Sequence, residues 1–158
     1  MKQTLKGSGI TINTDASYNT HKRGCAGYAF WIVCNLFKIQ KGGMFKKREP
    51  ANPIEAEIMC IGNAIATLLA QKQIPEVDWV LLNSDCVPGM DTIEAAKTPL
   101  GKQVKKLWLQ LKSKTGAKTM VMRHVKAHTG ANDPRSFVNE WCDKEAKKWM
   151  KISTKQKK

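Results

Sequence analysis

Acids are what this chain has least of. Only 13 Asp and Glu stand against 27 Lys and Arg in 158 residues, a formal charge of +14. Ordinary solubility does not call for so one-sided a balance. A polyanionic partner does, and nucleic acid is the commonest. Long apolar runs are missing too. The opening "MKQTLKGSG" has no hydrophobic signal segment, and no later stretch reaches the length of a bilayer span. Neither secretion nor a membrane partner is expected. The five cysteines, at 25, 34, 60, 86 and 142, include no C-x-x-C pair and no zinc-like spacing. That argues against a disulfide framework or a zinc site. Three of them lie in apolar runs, where cysteine behaves as a small core residue. Free thiols fit a reducing, cytoplasmic setting. Internal repeats and linkers are absent as well, which leaves one domain, expected to be a monomer.

What is present reads as strands alternating with helices. "GITINTDAS" alternates apolar and polar residues and carries Asp15 at its end. "GYAFWIVCN" and "LFKIQKGGMF" are two more strands joined tightly around Asn35, so the first three should form an antiparallel meander. "NPIEAEIMCIGNAIATLLAQKQ" predicts a helix with Pro53 in its first turn and a buried stripe of Ile54, Ile58, Ile61, Ile65 and Leu68. "VDWVLLNSDC" predicts a central strand buried on both faces and ending at Asp85. "VPGMDTIEAA" is a short helix, and "PLGKQVKKLWLQLKSKTG" a longer basic one capped by Gly116. "AKTMVMRHVKA" predicts the last strand, and a helix follows from about Pro134 to Met150. The order β-β-β-α-β-α-α-β-α belongs to one α/β domain. Residues 9–151 form that domain, 1–8 a short N-terminal extension, and 152–158 a basic tail expected to be disordered. Trp31 and Trp79 are expected in the core, while Trp108 and Trp149 suit core or surface.

Two of the few acids, Asp15 and Asp85, end apolar strands. A carboxylate there is partly desolvated and needs a partner. Either alone suits a loop cap, but adjacent strands of one small sheet would bring the two charges close together. On a helix turning about 100° per residue, Glu57 lies on the rim of the isoleucine stripe and Glu55 faces solvent. Glu57 is therefore the helical acid able to reach the pair. In the last helix Val138, Trp141, Cys142, Ala146 and Trp149 share an apolar face, with Asn139 and Asp143 one turn apart along its edge. An asparagine so placed can hold a carboxylate in one orientation; a plain surface hydrogen bond explains the two equally well. Four converging carboxylates repel one another. Divalent cations relieve that, and all-oxygen ligation selects Mg²⁺, with Mn²⁺ as substitute, over zinc. Two such ions about 3.5–4 Å apart activate a water and stabilise the leaving oxygen in phosphodiester hydrolysis.

"TDAS", "EAEIMCI", "LLNSDC" and "HVKAHTG…NEWCDKEA", in this order on these elements, resemble ribonuclease H, type 1, over roughly residues 9–150. The resemblance implies a mixed five-stranded sheet of order 3-2-1-4-5 flanked by helices, an RNase H-like fold. It also implies an endonuclease that cuts the RNA strand of RNA/DNA hybrids with two Mg²⁺ ions, leaving 3′-hydroxyl and 5′-phosphate ends. By position, Asp15 would bridge both ions, with Glu57, Asp85 and Asp143 completing the ligand set. His128 matches the mobile-loop histidine that moves a proton or assists product departure, and Asn139 the residue that orients the last aspartate. Ser17 and Asn52 match contacts to the nucleic-acid backbone.

Two departures stand out. Cys86 follows Asp85 where the family usually has serine. The segment between Asp85 and His128 is shorter than in many bacterial members, so the basic protrusion that grips the hybrid there is missing. The basic helix could take over, with Lys102, Lys105 and the loop residue Lys126 as contacts. Two other readings remain open at this stage: a DNA strand transferase or junction resolvase on the same fold, and a non-catalytic duplex-binding module.

Overall fold

The computed structural model describes residues 6–125 and 134–157. Its elements are β1 (Gly9–Tyr18), β2 (Ala26–Val33), β3 (Lys38–Met44), α1 (Pro53–Leu69), β4 (Trp79–Ser84), α2 (Val87–Glu94), α3 (Pro99–Thr115), β5 (Thr119–His124) and α4 (Pro134–Gln156). The sheet order is β3-β2-β1-β4-β5. β1, β2 and β3 pair antiparallel as the expected meander, while β4 joins β1, and β5 joins β4, in parallel. Among the described residues no helix is long and apolar enough to cross a membrane.

The helices divide between the two faces of the sheet. Ile10, Ile12, Phe30, Ile32, Val80 and Leu82 meet α1 and α3 in the larger core. α4 covers the other face around a smaller cluster of Ala29, Trp31, Cys142 and Ala146. Gly27 is what lets α4 sit so close. A Cβ there would lie 2.3 Å from the Ala146 carbonyl oxygen and 2.4 Å from the Met150 nitrogen.

α1 starts where the sequence says it should. Asn52 is the N-cap, accepting from the Glu55 backbone N–H at 2.8 Å, and Pro53 opens the first turn. Ile58, Ile61, Ile65 and Leu68 are buried, but Ile54 is exposed, because the first turn precedes Ala56, the first α1 residue buried in the core. Gly116 ends α3 with φ 66°, the left-handed C-cap conformation.

Two boundaries and the burial of one tryptophan differ from expectation. β1 does not end at Asp15. It runs on to Tyr18 because its pairing with β2 continues to Tyr18↔Ala26, whereas its pairing with β4 stops at Asn13↔Asn83. Asp15 is thus a strand end only as seen from β4, and a crevice opens there. The tail expected to be disordered is instead helical to Gln156. Its last turn is held by the β1–β2 loop: Asn19 donates to Thr154 Oγ1 at 3.0 Å, and the Lys22 ammonium donates to the Thr154 and Lys157 carbonyls. A cation there also complements the helix dipole. Trp79, expected in the core, is half-exposed and lies over Gly9, while Trp31 and Trp108 are buried and Trp149 is half-exposed.

Candidate metal centre

The crevice between β1 and β4 gathers the acids. Asp15 comes from β1, Asp85 from the residue just after β4, and Glu57 from the second turn of α1. One carboxylate oxygen of each lies within 4.8 Å of the others. The register of α1 against the sheet is fixed one turn further along. The buried Cys60 thiol donates to the Asp15 carbonyl at 3.3 Å and to the Ala29 carbonyl at 3.4 Å. Burial first, then the charges of Glu57 and Asp15, raise that thiol well above its usual range, so it stays a protonated donor.

The Ala16 backbone N–H donates to Asp15 Oδ1 at 2.9 Å and to Glu57 Oε1 at 3.2 Å. Glu57 is only 9% exposed, and its other oxygen is buried with no hydrogen-bond partner among the described residues. Burial, then the charges of Asp85 and Asp143, push Asp15 up to about 8. Burial, then Asp15 and Asp85, raise Glu57 well above the ordinary glutamate range. Three hard oxygen donors at this separation, one of them an orphaned buried oxygen, fit a hard divalent cation.

Asp143 stands outside the tight trio. It lies on α4 close enough to act on Asp15, and Lys147, one turn on, meets its Oδ2 at 3.1 Å. Asn139 is half-buried one turn before it. Glu55 is not simply solvated: it accepts from Arg48 at 2.9 Å and from the Ala51 N–H at 3.3 Å, closing the loop that precedes α1. His128 and Lys126 lie outside the described residues. Ser17 is half-buried on β1, opposite Gly27. The Asn52 side-chain oxygen is engaged as the α1 cap. Lys102 and Lys105 line a shallow cavity of about 430 Å³ on α3 with Lys106, Leu109 and Gln110, and the Lys105 ammonium donates to the Glu94 carbonyl at 2.6 Å.

Sequence reasoning missed a row of polar groups beneath the acids, its two asparagines buried and its arginine half-buried. Arg123, Asn83 and Asn13 are hydrogen-bonded in line across β5, β4 and β1. A signal was there to find. Each strand aspartate is preceded by the same pattern, Asn13-Thr14-Asp15 and Asn83-Ser84-Asp85.

This sheet order, with acids from β1, α1 and the end of β4, is that of the RNase H fold. The sequence matches the RNase H family over residues 7–151, and the chain belongs to that family. Solved structures agree in fold. RNase H1 from the halophilic archaeon Halobacterium salinarum NRC-1 is 14% identical, with TM-score 0.57 over 91% of this chain and 98% of that one. The N-terminal RNase H domain of a Mycobacterium tuberculosis protein is 13% identical, with TM-score 0.63 over 94% and 98%. LC11-RNase H1, solved in complex with an RNA/DNA hybrid, is 16% identical, with TM-score 0.61 over 92% and 99%. Among curated proteins none matches the chain in sequence. Family membership supports a ribonuclease activity.

Proposed function

We propose that this chain is an endoribonuclease that hydrolyses the RNA strand of RNA/DNA hybrids, leaving 3′-hydroxyl and 5′-phosphate ends. The observation that carries it is the convergence of Asp15, Glu57 and Asp85 within 4.8 Å in a chain whose net charge is +14. A protein that merely bound a polyanion would gain by removing those acids from its path. Here Glu57 is buried and Asp15 and Asp85 are half-buried beside it, which suits a site built to hold cations.

Asp15, Glu57 and Asp85, with Asp143 at the rim, would hold two Mg²⁺ ions, or Mn²⁺ in their place. When bound, such ions supply a water of lowered pKa and charge stabilisation at the leaving oxygen. The Ala16 N–H keeps Asp15 and Glu57 turned toward each other, and Asn139 is assigned to orient Asp143. His128 is assigned, from the family resemblance, to proton movement or product departure. Ser17 and Asn52 are assigned to the nucleic-acid backbone near the crevice, Lys102, Lys105 and Lys126 to its phosphates. Hybrid recognition would rest on 2′-hydroxyl contacts in the minor groove and on phosphate contacts that weaken with salt. Glu57 together with His128 speaks against a strand transferase or junction resolvase, and the presence of all four acids speaks against a duplex-binding module.

Matched RNA/DNA, RNA/RNA and DNA/DNA duplexes, each incubated with and without magnesium, test the reading. Cleavage restricted to the RNA of the hybrid, and dependent on magnesium, is the expected result. Cleavage of DNA/DNA, or metal-independent cleavage, would overturn it.

A further inference from the structure

A polar row crosses the sheet one step below the carboxylates. Arg123 Nε on β5 donates to Asn83 Oδ1 at 3.1 Å. Asn83 Nδ2 on β4 donates to Asn13 Oδ1 at 2.9 Å, and Asn13 Nδ2 on β1 reaches the Trp31 carbonyl of β2 at 3.4 Å. Strand register places the four residues side by side. Asn13 and Asn83 are 6% and 3% exposed. At that depth a parallel pair of strands normally carries apolar side chains, and an amide left without partners costs about 1–3 kcal/mol. Packing alone does not account for the two amides.

Their place does. Residues two apart on a strand face the same side, so Asn13 lies directly below Asp15 on β1, and Asn83 stands two residues before Asp85, which follows the last residue of β4. The β1–β4 ladder ends at Asn13↔Asn83. This is the last point at which the two strands are joined before the acids. Carboxylate oxygens of Asp15 and Asp85 lie within 4.8 Å of each other, and once both are ionised their repulsion acts to splay the strand ends. A side-chain hydrogen bond spanning the final rung opposes it.

We infer that Asn13 and Asn83 are positioning residues, a cross-strand amide clamp oriented by Arg123 that holds Asp15 and Asp85 at the separation a cation requires. The inference rests on the reading of those aspartates as metal ligands. Arg123 matters because a primary amide can turn over and face oxygen to oxygen. A guanidinium only donates, so it keeps the Asn83 oxygen toward β5 and the Asn83 N–H toward Asn13.

The test is a Mn²⁺ titration of the whole protein without nucleic acid, alongside melting and hybrid kinetics. Asn13→Val/Asn83→Val removes both amides at once and substitutes residues that suit strands. The expected result is a folded protein that binds Mn²⁺ about tenfold more weakly, the scale set by groups that orient metal ligands. Its kcat on hybrid should fall in step while KM holds. Arg123→Met should weaken Mn²⁺ binding less but in the same direction, and Arg123→Lys should restore part of it. Loss of a cation alone would tighten binding of another cation, so the sign separates orientation from charge. Unchanged or tighter Mn²⁺ binding in the folded double variant would overturn the clamp; if that variant does not fold, the same result in Arg123→Met does so. A parent that binds Mn²⁺ but leaves hybrids uncut would overturn the nuclease reading while the titration still decides the clamp. A parent that binds no Mn²⁺ overturns both.

Discussion

Asp15 and Glu57 share a single backbone donor. The Ala16 N–H reaches Asp15 Oδ1 at 2.9 Å and Glu57 Oε1 at 3.2 Å. Burial first, and neighbouring carboxylates after it, outweigh that one amide, and both acids hold protons well above their usual range. Without metal the crevice therefore keeps protons that these acids would give up in water, and ionising them there sets carboxylate against carboxylate.

Asp85→Asn should relieve part of that repulsion and remove a ligand at the same time. Cleavage of hybrid should drop to background while hybrid binding is retained. In EDTA the variant should melt above the parent, by roughly 2–4 °C for each kcal/mol relieved in a domain of this size. Normal turnover would discard the ligand assignment, and an unchanged or lower melting temperature would discard the repulsion.

The pH dependence has a definite sign. In the unfolded chain Asp15 loses its proton near 3.8, whereas in the fold it keeps it until about 8. Across that window the unfolded state binds fewer protons, so the contribution of Asp15 to stability falls as pH rises. In EDTA, Asp15→Asn should melt close to the parent at pH 4 and clearly above it at pH 8. A gap that stays constant across the series would remove Asp15 from the buried cluster.

Metal binding must displace those protons. Mg²⁺ or Mn²⁺ added near neutral pH should release protons, and apparent affinity should climb as pH approaches 8, the value to which Asp15 is raised. Calorimetry in two buffers of different ionisation enthalpy reads the proton count directly. Metal at about 100 times its dissociation constant should add about 2.7 kcal/mol of stability. Glu57→Gln should lose most of that gain, and a full gain in that variant would place the ions elsewhere.

His128→Ala should slow turnover on the order of 10²-fold, the lower end for a proton-transfer group, and leave hybrid affinity as it was. Complete loss of activity in a folded variant would give the histidine a larger part than assistance.

Lys102→Gln with Lys105→Gln should weaken hybrid binding and lower the slope of log affinity against log salt by about 1 to 2. Lys105 spends part of its reach on the Glu94 carbonyl, so Lys102 should contribute the larger share. A salt slope equal to the parent's would leave α3 as an ordinary solvated helix.

Local signals carried most of what could be read in advance. The meander, the capped helix at Asn52-Pro53 and the Gly116 stop follow from alternation, capping and left-handed geometry, which are properties of short stretches. Glu57 could be separated from Glu55 because helical periodicity gives each a direction. What escaped depends on pieces distant in sequence. β1 outruns Asp15 because β2 continues to pair with it. α4 outruns Met150 because Asn19 and Lys22 take hold of Thr154. Asn13 and Asn83 acquire a partner only when two strands, 70 residues apart, come side by side. No local pattern announces such a meeting, although the repeated Asn-x-Asp hints at it.

Gly27 has a bearing on Asp143 that neither residue displays alone. α4 rests on β2 backbone to backbone at that point, with no room for even a methyl group. The helix carrying Asp143 is therefore set by contact with the sheet rather than by a compressible layer of side chains. A single added carbon at position 27 would act as a wedge, displacing the rim acid as a rigid body while leaving every charged group in the crevice chemically intact.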